Sequence, residues 1–350
     1  MSFLKPNISH PDAPVNDVGY RKVDYTGAIS TLCAGCGHDS ISGSIVQACF
    51  ELNIEPHQLA KLSGIGCSSK TPTYFLSNSH GFNSVHGRMP SISTGANLAN
   101  RDLIYLGVSG DGDTASIGMG QFVHAIRRNL NMTYIVMNNG CYGLTKGQDS
   151  ATADFGSISK AGSKNNYNPI DLAAMAIQLD CSFVARSFSG DKEQLVPLIK
   201  AGLRHKGMAF IDVISPCVTF NNNKGSTKSY DYTREFMQRT ALVDYVESKE
   251  PIEISYSEGD RYVVDLHDGS TLQLRKPTSS WRPTDKVSSM QQIMEAKEKG
   301  EVLTGLIYIN PEAEDLQEKM NLSDTPMNKL SQDELCPGAK ILEEINAQYR

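Results

Sequence analysis

Apolar positions along the chain fall into short blocks that alternate between a helical and an extended period. Residues 39–52, DSISGSIVQACFEL, repeat at helical spacing, with Asp39 in an N-cap position. A short apolar strand is expected at 59–65 and a second helix at 91–101. Residues 103–109, LIYLGVS, read as a buried strand that runs into Gly110-Asp111-Gly112-Asp113. Met119, Phe122, Val123, Ile126 and Leu130 then return at helical spacing over 115–130. A second strand, Met132 to Met137, ends in Asn138-Asn139-Gly140. Strand, helix and strand in one short stretch predict a βαβ unit with a parallel pair.

The alternation continues with a helix at 170–179, a strand at 181–187, a helix at 191–204 and a strand at 208–214. This order predicts an α/β fold with a doubly wound, mostly parallel sheet. Ligands of such sheets sit at the carboxyl ends of strands. Gly110–Asp113, Asn138–Tyr142 and Ser215–Cys217 all fall at that edge. Residues 1–24 show no periodicity and read as a tail. The ligand-binding domain spans 25–217. Beyond 218 the pattern loosens: 220–232 is polar and reads as a lid, and 262–275 as a hairpin. Helices are expected near 285–299, 311–320 and 339–349. The segment 218–350 is therefore expected to be a lid and extension that contacts a partner.

Composition narrows the class. The 350 residues are 39% hydrophobic and 21% charged, with a net charge of −6. No apolar run nears the roughly 20 residues of a membrane span, and the N-terminus has no apolar signal core. A cytoplasmic protein without a membrane or nucleic-acid partner is expected. The eight cysteines then point to metal binding rather than to disulfides.

Gly110-Asp111-Gly112 is followed by Asn138-Asn139 after 25 intervening residues. The pair places a carboxylate and an amide oxygen at neighbouring strand ends. Both are hard ligands suited to Mg²⁺, which keeps substrate phosphates in its shell. The glycines let backbone amides approach a diphosphate, and the helix after Asp113 turns its N-terminus to the anion. The spacing resembles the signature of thiamine-diphosphate enzymes. That resemblance makes Asp111 and Asn139 Mg²⁺ ligands, with the Cys141 backbone carbonyl a third.

Cys33 and Cys36 form a CxxC in a glycine-rich turn, Cys67 lies in GIGCSSK, and Cys217 follows the last strand. Four thiolates can hold a 4Fe-4S cluster or a structural zinc, and spacing does not separate the two. Oxidation on thiamine requires an electron acceptor, which a cluster supplies and zinc does not. Cys49 and Cys181 sit in apolar segments and read as packed thiols.

Together CAGCGH, GIGCSSK, VHGRMPSISTGANLAN, SGDGDTASIG, HAIRRN, NNGCYGLTKGQ and SPCVTFN resemble the β subunit of 2-oxoacid:ferredoxin oxidoreductases. The resemblance implies a 4Fe-4S cluster on Cys33, Cys36, Cys67 and Cys217. It implies thiamine diphosphate against Gly37, His38, Ile65, Gly66, Ser68, Gly110, Asp111, Gly112, Asp113, Asn139, Gly143 and Leu144. It also implies oxidative decarboxylation of a 2-oxo acid with CoA and reduction of ferredoxin, reversible as reductive carboxylation. A separate α subunit would supply the activating glutamate and most of the CoA site, in a heterodimer or its dimer. Lys70, His86, Arg88, Leu144 and Lys146 are the substrate-side candidates. Two lysines near the reacting carbon suit a substrate with two carboxylates, so 2-oxoglutarate is expected over pyruvate. Two rival readings remain: a non-oxidative thiamine enzyme, and a zinc-stabilised subunit without catalysis.

Overall fold

The computed structural model describes residues 10–247, 261–275, 281–336 and 338–350. The chain builds α1 (Gly37–Glu51), β1 (Leu59–Ser63), β2 (His80–Asn83), α2 (Met89–Ala99) and β3 (Ile104–Gly110). It continues with α3 (Met119–Arg127), β4 (Met132–Asn138), β5 (Cys141–Tyr142), β6 (Gln148–Asp149), α4 (Leu172–Gln178) and β7 (Phe183–Phe188). Then come α5 (Lys192–Arg204), β8 (Met208–Ile214), α6 (Tyr230–Phe236), β9 (Met237–Arg239), β10 (Leu242–Val246), β11 (Arg261–Asp265) and β12 (Thr271–Arg275). The last elements are α7 (Lys286–Glu298), β13 (Val302–Ile309), α8 (Leu316–Lys319), α9 (Gln332–Leu335) and α10 (Ala339–Ala347).

Eight strands form one sheet in the order β2-β1-β3-β4-β8-β7-β13-β9. Every neighbouring pair is parallel except β7 and β13. The doubly wound, mostly parallel sheet expected from the alternation is the one observed. Successive residues of a strand point to opposite faces, and the core divides accordingly. Leu106, Ile135 and Ile211 pack against Ile41 and Ile45 of α1 and Leu195 and Leu198 of α5. Tyr105, Tyr134 and Phe210 face Phe122 and Ile126 of α3, Ile177 of α4 and Ile293 of α7. Strands covered on both faces must be apolar throughout, which is why β4 and β8 read as continuous apolar runs. Asp171, Asp191 and Asp285 cap α4, α5 and α7 by accepting backbone N–H groups of the first turn.

The structure differs from the sequence expectation in four places. The helix expected over 115–130 opens with a wide π turn, Gly112–Ile117, in which Gly118 N–H donates to the Asp113 carbonyl. Such turns recur at functional sites. Residues 10–24 are docked rather than free: Asn16 Nδ2 donates to Tyr25 Oη at 2.8 Å and to the Phe50 carbonyl at 3.1 Å. The helix expected over 311–320 is only the single turn α8, started by an Asp315 capping box. The segment 218–350 does more than extend the chain, since it places β13 in the main sheet against β7. The hairpin at 262–275 is present as β11 and β12, joined to β10 in a small antiparallel sheet.

Candidate active site

Parallel strands β1, β3, β4 and β8 end at one edge, so the segments after them are neighbours. Cys67 follows β1, Asp111 follows β3, Asn139 follows β4 and Cys217 follows β8. The start of α1 joins them: Gly37 N–H donates to the Pro216 carbonyl at 3.3 Å.

Asp111 is buried, with 1% of its surface exposed. Its Oδ2 accepts from Ser150 Oγ and from Thr152 Oγ1, the latter at 2.7 Å. Its Oδ1 faces the Asn139 backbone N–H at 3.3 Å. Burial pushes the Asp111 carboxyl up, and these three donors oppose the shift. Lys228, whose charge also opposes the rise, gives its ammonium to Asp154 at 3.1 Å. A buried carboxylate held by hydroxyls and left without an ion-pair partner among the described residues is a suitable seat for a divalent cation. Asn139 Oδ1 is held by the Cys141 N–H at 3.1 Å, and its backbone carbonyl by Asn221 Nδ2 at 2.8 Å.

A polar chain continues behind these residues. Thr152 Oγ1 lies 2.9 Å from Asn138 Oδ1, and Asn138 Nδ2 donates to Asp212 at 3.0 Å. Arg186 bonds Asp212 at 2.9 Å and Asp171 at 2.5 Å. Asn138, Thr152, Asp212 and Arg186 border a cavity of about 220 Å³.

Asp113 is used locally. Its Oδ1 accepts from His86 Nδ1 and, at 2.7 Å, from Gly87 N–H; its Oδ2 accepts from Ser109 at 2.7 Å. A Cβ at Gly64 would stand 1.7 Å from that Oδ2, so only glycine fits there. Gly112 is likewise pressed against the Tyr142 ring, and a Cβ on Gly110 would be 3.0 Å from Ser68 Oγ. His38 is buried in the first turn of α1, and its Nδ1 meets Ser215 Oγ at 2.5 Å. Burial lowers its pKa to about 4, so the ring is neutral near pH 7.

The four cysteines are near enough to act on one another. Cys36 responds to Cys217 and Cys67, and Cys67 to Cys217 and Cys33. A Cβ built on Gly143 would lie 3.5 Å from Cys67 Sγ and 3.8 Å from Cys217 Sγ. Burial pushes the Cys36 thiol up to about 12, while the Cys141 thiol leads in lowering Cys217 to about 6. Among the described residues no three His, Cys, Asp or Glu side chains converge as they would on a single ion. Cys49 and Cys181 are fully buried, and Cys336 is exposed.

The substrate-side candidates are more open. Lys70, Arg88, Leu144 and Lys146 are exposed, and His86 is half-buried. Lys70 lies close enough to Cys67 for its charge to oppose the rise in that thiol's pKa. Lys146 follows Gly143 in a turn with φ +79, and its N–H donates to the Gly143 carbonyl at 3.3 Å. Ile65 and Gly66 are half-buried ahead of Cys67, and Ser68 is buried. Asn221, which ends the SPCVTFN motif, also belongs to the site, as do Ser150, Thr152, Asp212 and Arg186, which lie in no motif. Their only sequence signal is polar residues next to apolar runs.

Known proteins share parts of this sequence and its fold. The thiamine pyrophosphate enzyme C-terminal TPP-binding domain matches residues 64–213. A 2-oxoacid:ferredoxin oxidoreductase subunit beta from a Sulfolobus species is 40% identical over 222 residues, covering 63% of this chain and 72% of that one. The chain belongs to this family of β subunits. The 2-oxoglutarate oxidoreductase subunit KorB of Mycobacterium tuberculosis is 37% identical over 63% of this β subunit and 59% of that protein. In structure, the β subunit resembles a 2-oxoglutarate:ferredoxin oxidoreductase from Magnetococcus marinus solved with 2-oxoglutarate, coenzyme A and succinyl-CoA bound. The TM-score is 0.69 at 29% identity, over 89% of this chain and 94% of that one. The β subunit therefore carries a thiamine-diphosphate-binding domain and is part of a thiamine-dependent oxidoreductase. No helix among the described residues is long and apolar enough to cross a membrane.

Proposed function

We propose that this β subunit holds Mg²⁺ and thiamine diphosphate on Asp111, Asn139 and the Cys141 carbonyl, and a 4Fe-4S cluster on Cys33, Cys36, Cys67 and Cys217. The reaction is CoA-dependent oxidative decarboxylation of 2-oxoglutarate to succinyl-CoA and CO₂, with ferredoxin as acceptor and reductive carboxylation as the reverse. The observation that supports this is the meeting of two donor sets at one sheet edge. Oxygens follow β3 and β4, and thiols follow β1 and β8. When bound, thiamine supplies the carbanion and electron sink for decarboxylation, and the cluster accepts electrons singly.

The chain's own residues position and shield. Ser150 and Thr152 fix Asp111, so one carboxylate oxygen is spoken for and the other is turned toward Asn139. Asp113 orients His86 and the Gly87 amide at the mouth of the site. Lys70 and Lys146 provide positive charge for the two carboxylates of the substrate, Arg88 adds to it, and Leu144 offers an apolar wall for the methylenes. Gly37 admits close backbone approach, since a Cβ there would stand 2.6 Å from Ser215 Oγ. The activating glutamate and most of the CoA site come from an α subunit, so the isolated chain is inactive.

The test is anaerobic co-purification with the α subunit. Iron, sulfide and thiamine are measured, and kcat/KM is compared for 2-oxoglutarate and pyruvate. Zinc in place of iron would sink the cluster. Higher kcat/KM for pyruvate would sink the substrate, and full activity of the chain alone would sink the shared site.

A further inference from the structure

The two centres assigned above are tied together by one side chain. Cys217 opens a tight turn in which the N–H groups of Phe220 and Asn221 donate to its carbonyl at 3.2 and 2.9 Å. Cys217 and Asn221 also form an antiparallel bridge. From the same turn, Thr219 Oγ1 donates to Cys33 Sγ at 3.5 Å. The side chain of Asn221 leaves this turn and donates from Nδ2 to the Asn139 carbonyl at 2.8 Å. A Cβ at Gly140 would stand 2.7 Å from that nitrogen and 3.0 Å from Lys228 Cδ. The 217–228 loop therefore touches the Asn138–Gly140 turn through Asn221 and Lys228.

This contact has a chemical consequence. Hydrogen bonds to ligand sulfurs are among the factors that set the reduction potential of an iron–sulfur cluster. Cys217 and the Thr219 hydroxyl that reaches Cys33 Sγ belong to a turn anchored at Asn139 through Asn221, and Asn139 is itself assigned to the metal. We propose that Asn221 is a positioning residue that couples occupancy of the magnesium–thiamine site to the reduction potential of the cluster. The proposal rests on the reading of the two centres given above. Loading the metal site fixes the Asn139 peptide; Asn221 transmits that placement to the Cys217–Asn221 turn and to the Thr219 hydroxyl on Cys33 Sγ. Linkage makes the effect reciprocal, so the redox state of the cluster alters the affinity for magnesium thiamine diphosphate.

The experiment uses the anaerobic complex with its α subunit, as wild type, Asn221→Leu and Asn221→Gln. Leucine keeps the volume and removes the donor; glutamine keeps a donor on a longer arm. The dissociation constant of thiamine diphosphate with Mg²⁺ is measured by calorimetry on the oxidised and the dithionite-reduced complex. Iron content and the EPR signal of the reduced cluster are recorded for each variant. In wild type the two constants are expected to differ by about fivefold or more. In Asn221→Leu the ratio falls toward one with iron content unchanged, and Asn221→Gln recovers part of it. If Asn221→Leu loses iron, Gly140→Ala perturbs the same contact from the other side and must also lower the ratio. An undiminished ratio in Asn221→Leu, or equal constants in wild type, overturns the coupling. Wild type lacking iron or failing to bind thiamine diphosphate would be a different result. It would sink the assignment of the centres, and the coupling with it.

Discussion

Thr152 stands between the two strand-end motifs, with its Oγ1 2.7 Å from Asp111 Oδ2 and 2.9 Å from Asn138 Oδ1. Its single proton serves one acceptor at a time, and Ser150 Oγ, 3.1 Å away, supplies the second. The pair of hydroxyls therefore holds one oxygen of Asp111 and fixes the plane of its carboxylate. Residues that orient a metal ligand typically contribute about 10- to 100-fold in affinity. Thr152→Val is expected to raise the dissociation constant for magnesium thiamine diphosphate by that order, and Thr152→Ser to recover most of it. Calorimetry on the complex decides. An unchanged constant in Thr152→Val would show that the hydroxyl does not orient Asp111.

Gly64 shows why a position between β1 and Cys67 must be glycine. Its φ is ordinary, but a Cβ would fall 1.7 Å from Asp113 Oδ2. Gly64→Ala must push Asp113 from Gly87, Ser109 and His86 together. Overpacking of this kind costs about 1–3 kcal/mol, and buried polar groups that lose partners add a similar amount. A drop in melting temperature of several degrees and weakened thiamine diphosphate binding are expected in Gly64→Ala. The substitution lies outside the proposed ligands, so normal thiamine affinity would mean that Asp113 does not shape the cofactor site.

Lys146 is exposed and sits in a left-handed turn after Gly143. Loss of one charge-assisted contact to a substrate carboxylate is worth about 1.5–3 kcal/mol, or roughly 10- to 100-fold. Lys146→Ala is expected to lower kcat/KM for 2-oxoglutarate by that factor and to leave pyruvate within about threefold. Parallel assays of both substrates in the reconstituted complex provide the check. An equal loss for both would assign Lys146 to the fold or to the cofactor instead.

What was legible follows from the physics of each element. The unit from 103 to 138 is plain because strands buried on both faces carry unbroken apolar runs and α3 carries a one-sided stripe. The Gly-Asp-Gly and Asn-Asn-Gly turns at its ends are also plain, because glycine and short polar residues are what tight turns take. The resemblance then orders the cysteines, whose long separations say nothing alone. β13 is different. VLTGLIYI is as apolar as β4, yet nothing local says that it returns to the sheet antiparallel to β7. β2 is an exposed edge strand, HGFN, without an apolar pattern. Ser150, Thr152 and Asn221 matter through contacts with residues far along the chain, and such contacts leave no periodic trace.

The far end of the sheet offers a test of pH dependence away from the cofactor site. His205 is buried, its Nε2 meets Ser182 Oγ at 2.8 Å, and its Nδ1 has no hydrogen-bond partner. Its ring packs against Phe183 at 5.5 Å and His267 at 5.4 Å. Burial, with the His267 charge, lowers its pKa to about 3. The unfolded chain holds this imidazole near its ordinary value of about 6.5. Between those values the unfolded state binds the extra proton, so the folded state loses stability as pH falls. The contribution is complete above about pH 6.5 and declines toward pH 3, by up to about 1.4 kcal/mol per unit. Melting temperature is expected to fall less steeply from pH 6.5 to 4.5 in His205→Gln than in wild type, whatever the variant's absolute stability. Identical slopes would mean that His205 is already protonated, or solvated, in the folded protein.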